Sequence, residues 1–227
     1  MAKKTEKHIK LKILPLLITL LLIILIIVGV YFLTLIPIKN IYITGNNYLT
    51  DQEIIELAEI ENYPSFLKTT SSKIKKRLKN NIYVKNVKVS KKLFAEVHIE
   101  IEEKNILFRK EENNMIVLET GEETNDQEKY IVPILLNYIP DTKYSTFLKR
   151  MAEVNENVKT KISEIRYYPN EQDDDRFLLY MTDGNYVYLT LTKFKQINYY
   201  EEVLSKLDGK KGILYLDSGN HFQIMSN

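Results

Sequence analysis

No cysteine and no tryptophan occur in these 227 residues. Without cysteine, a disulfide framework, a lipoprotein anchor and any thiolate chemistry are excluded. Glycine is scarce, with 7 in the chain, and no glycine-rich phosphate loop can be drawn from them. The histidines are His8, His98 and His221, one in a basic tail and two in expected strands, none at the spacing of metal ligands. A strong charge of either sign is also missing, the formal balance being +2. Residues 1–36 hold 5 basic and 1 acidic side chains, leaving 27 against 29 in the remainder. The bulk of the chain is therefore nearly neutral, with no electrostatic case for nucleic-acid binding. Lysine clusters such as Lys73–Lys75–Lys76–Arg77–Lys79 are read as solvated faces.

Charge is absent altogether from Ile13 to Pro37, ILPLLITLLLIILIIVGVYFLTLIP. A helix of that length spans roughly 37 Å, enough to cross a hydrocarbon core of ~30 Å. Its polar side chains are the hydroxyls of Thr19, Tyr31 and Thr34, and Tyr31 and Phe32 fall where interfacial aromatics sit. Pro15 stands in the first turn, where a missing N–H costs least. A buried core helix is seldom so long or so free of charge. Five lysines and one glutamate precede the stretch, which places residues 1–12 in the cytoplasm and everything after Pro37 outside. A cleaved signal peptide would have a shorter apolar run and a small-residue cleavage site, so an uncleaved signal anchor is expected at residues 13–37.

Beyond the span, Ile38 to Thr44 alternates as a strand and Gly45-Asn46-Asn47 forms a turn. Thr50-Asp51-Gln52-Glu53 has the form of a capping box opening a helix, with Ile54, Leu57 and Ala58 as its apolar face. A second helix fits Ser72 to Leu78, with Ile74 and Leu78 inward. Strands follow at Val84–Ser90 and Ala95–Glu102, the latter alternating Val97, Ile99 and Ile101 with Glu96, His98, Glu100 and Glu102. The order is β-α-α-β-β.

These strings, IKNIYITGNNYLTDQEI and VKNVKVSKKLFAEVHIEIEEK, resemble the POTRA domain of the FtsQ/DivIB cell-division proteins. The basic tail and single anchor immediately before them fit the same family. One local departure is Lys104-Asn105 after Glu103, where relatives often carry Arg-Pro. The resemblance continues through the remainder. Ile106–Arg109 and Met115–Leu118 form a strand pair, Glu119-Thr120-Gly121 a turn, and Pro133-Ile134-Leu135 a run preceding a helix. That helix carries Phe147, Met151, Val154 and Val158 as one stripe. Ile162–Tyr168, Phe177–Met181 and Tyr186–Leu191 make a meander with a turn at Asp183-Gly184-Asn185. A long helix after Thr192 buries Phe194, Ile197, Tyr200, Leu204 and Leu207 and stops near Asp208-Gly209. Strands at Gly212–Leu216 and His221–Met225 close the chain.

The expected fold class is α+β: a transmembrane helix, a POTRA domain over 38–105, and a mainly antiparallel β domain with two helices over 106–227. The resemblance implies a non-enzymatic scaffold of the bacterial divisome, with no cofactor. It implies partners of the FtsL and FtsB/DivIC type, small single-span coiled-coil proteins, and indirect control of the septal penicillin-binding synthase. It implies a type II, single-pass protein at the division septum, the POTRA domain being the family's recruitment surface. The family binds its small partner as an added strand at the last sheet edge, which carries over to Ser218 and Gly219, with Tyr215, Leu216 and Ile224 as neighbours. The same residues could instead simply close the sheet.

Two rivals compete. Ser65-Phe66-Leu67-Lys68 and Ser72-Lys73-Ile74-Lys75 match the Ser-x-x-Lys of penicillin-binding enzymes, so Ser65 or Ser72 could be the nucleophile of an anchored wall enzyme. The accompanying Ser-Asp-Asn and Lys-Thr-Gly strings are absent from the chain. A secretion or outer-membrane assembly component would follow its POTRA units with a barrel, and no alternating lipid-facing strands occur. Asp173-Asp174-Asp175 is a weak calcium candidate, adjacent loop carboxylates being ordinarily solvated.

Overall fold

The computed structural model describes residues 13–125, 130–207 and 209–225. The expected cytoplasmic tail and Asp208, at the expected stop of the last helix, lie outside the described residues. The chain divides into two compact units, one ending at Glu102 and the other beginning at Glu103.

In the first unit, α1 (Ile13–Thr34) is apolar on every face and buries none of its residues. Thr19 and Thr34 return their hydroxyls to the carbonyls of Leu16 and Tyr31, each at 2.8 Å, so both threonine donors are matched within the helix. The helix ends before Pro37, whose ring disfavours helical backbone in the residue ahead of it. Pro37 instead makes an isolated bridge with Ser65.

The soluble part of this unit is β1 (Asn40–Thr44), α2 (Asp51–Leu57), α3 (Ser71–Lys79), β2 (Val84–Lys92) and β3 (Glu96–Glu103), the expected order. The sheet runs β1-β3-β2, with β1 parallel to β3 and Ile41 and Ile43 opposite Val97 and Ile99. The capping box forms as the sequence indicates: the Glu53 N–H donates to Thr50 Oγ1 and the Thr50 N–H to Glu53 Oε2 at 2.7 Å. Thr70 caps α3 by accepting from the Lys73 N–H. Ile54, Ala58, Ile74, Leu78, Val97 and Ile99 are at most 1% exposed, so one face of each helix and of the sheet meets in a single core. Ala95, expected within a strand, belongs to a 3-10 turn at Leu93–Ala95 that joins β2 to β3 with φ of 65° at Phe94 and 62° at Ala95.

The second unit is a nine-stranded sheet. In chain order its strands are β4 (Ile106–Lys110), β5 (Ile116–Leu118), β6 (Glu123–Thr124), β7 (Ile134–Leu135), β8 (Ile162–Tyr167), β9 (Arg176–Met181), β10 (Tyr186–Thr190), β11 (Gly212–Tyr215) and β12 (His221–Ile224). In space they run β12-β11-β10-β9-β8-β7-β4-β5-β6. Pairing is mainly antiparallel; β4–β7, β7–β8 and β10–β11 are parallel. Parallel neighbours need a crossover, and the helices supply two of them. The first is α4 (Asp141–Ala152) with α5 (Glu156–Lys159), between β7 and β8. The second is a 3-10 helix, Leu191–Tyr199, running into α6 (Tyr200–Leu204), between β10 and β11.

Phe147 anchors the core, its ring 5.3, 5.0 and 5.7 Å from those of Phe108, Phe177 and Phe194. Two helices differ from expectation. The stripe from Phe147 to Val158 is buried throughout, but the helix breaks at Glu153–Asn155. There the Asn198 amide donates to the Glu153 carbonyl and accepts from the Asn155 N–H, at 2.9 and 2.8 Å, replacing helix bonds across the break. The last long helix is mostly 3-10, because Leu191, Phe194, Ile197 and Tyr200 recur every third residue. That spacing aligns on one side of a 3.0-residue turn, and all four are buried.

Candidate partner-binding edge

The strands nearest the C-terminus are held by local chemistry that leaves one edge open. β10 and β11 pair through Tyr186↔Ile213, Val187↔Leu214 and Tyr188↔Tyr215. β11 and β12 pair through Gly212↔Ile224, Ile213↔Gln223, Leu214↔Phe222 and Tyr215↔His221. Gly212 permits this closeness: a Cβ there would fall 2.1 Å from the Gln223 carbonyl oxygen and 2.7 Å from the Phe222 ring. Its N–H donates to Asn185 Oδ1 at 2.8 Å, Asn185 Nδ2 donates to the Tyr200 hydroxyl, and that hydroxyl donates to Asp183. Burial pushes the Tyr200 phenol well up, so it stays protonated and keeps donating.

On one face of the sheet, rings stack across strands: Tyr188 on Tyr215 at 5.4 Å, and Tyr215 on His221 at 4.7 Å. The Arg176 guanidinium sits 3.7 Å from the Tyr188 ring centre, a cation–π geometry. Arg176 Nε also donates to Asp217 Oδ2 at 2.7 Å, both side chains being about nine-tenths buried. Asp217 lies in the turn between β11 and β12. Gly219 at φ +91° and Asn220 at φ 53° reverse the chain, and Lys193 donates to the Asp217 carbonyl at 3.1 Å.

The opposite face bears Leu214, buried, and Phe222, half-buried, beside a cleft of about 510 Å³. Tyr199, Val203 and Leu207 wall its far side. Ile224 continues the Phe222 row and is 52% exposed. β12 terminates the sheet, and no described strand covers its outer edge. The opposite terminus, β6, has only two residues, too few to template a partner strand.

The expected contact residues thus fall on different parts of this edge. Ile224 is on the outer strand, and Ser218 and Gly219 are exposed in the turn, the Ser218 hydroxyl donating to Asp217 Oδ1. Tyr215 is half-buried in the ring stack. Leu216 is 6% exposed and belongs to the core cluster, so it supports the edge from within. Sequence reasoning gave no role to Arg176 or Tyr188, and Asp217 and His221 entered it only as members of the C-terminal segment. The signal for the stack was the alternation of Tyr186 and Tyr188, which marks two residues on one strand face.

The rival catalytic serines have other surroundings. The Ser65 hydroxyl donates to the Thr34 carbonyl at 2.6 Å and accepts from the Lys68 N–H at 3.3 Å, so it ties the end of α1 to the following domain. Ser72 is exposed in the first turn of α3. Of the acidic run, Asp174 and Asp175 both pair with Lys143, which holds the Asp174 carboxyl below its usual range. Among the described residues no group of three His, Asp or Glu could hold a metal.

Two family models match this chain: "POTRA domain, FtsQ-type" over residues 36–104, and "Cell division protein FtsQ/DivIB, C-terminal" over 106–218. The chain is 32% identical to "Cell division protein DivIB" of Bacillus subtilis, over 82% of its own length and 73% of the relative's. It is 29% identical to the DivIB of Listeria monocytogenes, over 88% and 78%. A solved extracytoplasmic domain of DivIB from Geobacillus stearothermophilus aligns with 47% of this chain and 96% of its own, at 25% identity and a TM-score of 0.39. The chain belongs to the FtsQ/DivIB family of cell division proteins.

Proposed function

We propose that this protein is a membrane-anchored, non-enzymatic scaffold of the divisome that captures small coiled-coil division proteins of the FtsL and FtsB/DivIC type. Through them it acts on the septal penicillin-binding synthase. The family consists of non-catalytic divisome components, and the apolar α1 fits a single-pass membrane protein. The lysine-rich tail favours a cytoplasmic N-terminus, with both later domains outside at the septum. The observation that carries the reading is the open edge of β12, with exposed Ile224 and the apolar cleft beside it. An extended partner segment added there would gain main-chain hydrogen bonds from β12. Its alternate side chains would meet the Phe222–Ile224 row. An uncovered apolar edge is otherwise an aggregation hazard.

The test is co-purification of the full chain, in detergent, with its FtsL- and DivIC-type partners. Ile224→Glu should stay folded and lose capture at least tenfold. Unchanged capture by a folded variant would remove the edge from the account.

A further inference from the structure

A second exposed apolar feature lies in the first unit, at the end of α1. The β2–β3 connection presents Leu93 and Phe94, 81% and 83% exposed. Tight reversals are ordinarily built from Gly, Asn or Asp, which tolerate positive φ. Here a phenylalanine and an alanine take φ of 65° and 62°, so the backbone accepts strain while holding a large apolar side chain outward. Backbone hydrogen bonds tie the residues that follow the helix to the tip and to the neighbouring Phe66 segment. The Lys39 N–H donates to the Ala95 carbonyl at 2.9 Å, and the Phe66 N–H to the Ile36 carbonyl at 2.8 Å.

Leu33 and Ile36, from the last turn of α1 and just beyond, line one cleft of about 700 Å³ together with Phe66, Leu67, Leu93 and Phe94. The apolar surface of the helix therefore continues without interruption onto the domain. Lys39, Lys91 and Lys92 border the same cleft. Lys91 turns inward, donating to the carbonyls of Phe66 and Thr69 with its ammonium 3.9 Å from the Phe66 ring centre. Lys39 and Lys92 remain exposed. An apolar tip rimmed by lysines, placed where an apolar helix ends, has the make-up of a membrane-interface contact.

We propose that Leu93 and Phe94 enter the bilayer leaflet from which α1 emerges, with Lys39 and Lys92 against its anionic phospholipid headgroups. The inference rests on α1 being a membrane span. It gives the first domain a membrane-facing pole, so that the domain leans on the bilayer instead of swinging freely on its tether.

The chain contains no tryptophan, so Phe94→Trp and Phe32→Trp each give a single fluorescent reporter in the full protein. Both variants are reconstituted in phosphatidylglycerol vesicles, with and without acyl-chain bromination. The reporter at position 94 should emit to the blue of a tryptophan exposed to water, and brominated lipid should quench it at least twofold. Lys39→Glu/Lys92→Glu should cut that quenching by half or more. If the reporter at position 32 is quenched while the one at position 94 emits as in water, the tip does not enter the leaflet. If the position-94 emission shifts only after a division partner is added, the tip is a protein contact and the proposal fails. If neither reporter is quenched, the span itself is wrong, and the proposal falls with it. Quenching at position 94 that ignores the double Glu change overturns the headgroup contact.

Discussion

Arg176 on β9 and Asp217 in the β11–β12 turn form a 2.7 Å ion pair beneath the edge of the sheet, their side chains 12% and 9% exposed. The pair joins β9 to the turn that leaves β11, two strands that are not neighbours, since β10 lies between them. It fixes where the turn leaves the sheet and hence where β12 can begin. Breaking a largely buried pair strands the remaining charge in low dielectric, which costs about 3–5 kcal/mol. Asp217→Ala should therefore lower the unfolding free energy of the second domain by roughly 3 kcal/mol, read from urea denaturation. Arg176→Met/Asp217→Leu, which removes both charges, should recover much of that loss.

Gly212→Ala tests how closely β11 and β12 must approach. The added methyl would meet the Gln223 carbonyl and the Phe222 ring, so the strands must part. Overpacking of this kind costs roughly 1–3 kcal/mol. If the proposed function holds, partner capture should fall more steeply than thermal stability, because the displaced strand is the one to which the proposal assigns the contact.

Acid should weaken the second domain through Glu123. The hydrogen bond from Lys110 holds the Glu123 carboxyl below its usual range, against burial that works the other way. A depressed folded pKa contributes stability that is complete above the unfolded value of about 4.3. That contribution is lost as pH falls through the lower, folded value. The urea midpoint should begin to drop as the pH falls below the unfolded value and go on falling through the depressed folded one, and Lys110→Met should lower the pH 7 midpoint while flattening that acid limb.

Ser65→Ala and Ser72→Ala should each leave division intact, since Ser65 is engaged with backbone groups and neither serine has the partner motifs of an activated nucleophile. Ser65→Ala removes the bond to the Thr34 carbonyl and should cost about 1 kcal/mol at most. Covalent labelling of either serine by a fluorescent penicillin would contradict the scaffold reading.

Much of this architecture was legible because local rules and tertiary packing agree. The charge-free run marked α1, and Thr50 with Glu53 marked the start of α2. The alternation of Val97, Ile99 and Ile101 with carboxylates marked β3, whose three apolar side chains are buried. What escaped notice depended on partners distant in sequence. The break after Ala152 is made by Asn198, more than forty residues on. β6 and β7 are two residues each, too short for periodicity to register. Leu216 read as an edge contact through the family resemblance of its segment, which does not say that its side chain turns into the core. The Arg176–Asp217 pair and the Tyr188–Tyr215 stack arise only when the parallel crossover sets β11 beside β10.

The central claim is that a partner adds a strand to β12, and amide hydrogen exchange across residues 221–225 tests it most directly. In the free protein the outward amides of an edge strand exchange quickly, lacking a partner strand. Binding of the FtsB/DivIC-type partner should slow exchange in this segment at least tenfold and leave β6 unaffected. Protection confined to the first domain, with residues 221–225 exchanging as fast as in the free protein, would contradict the account.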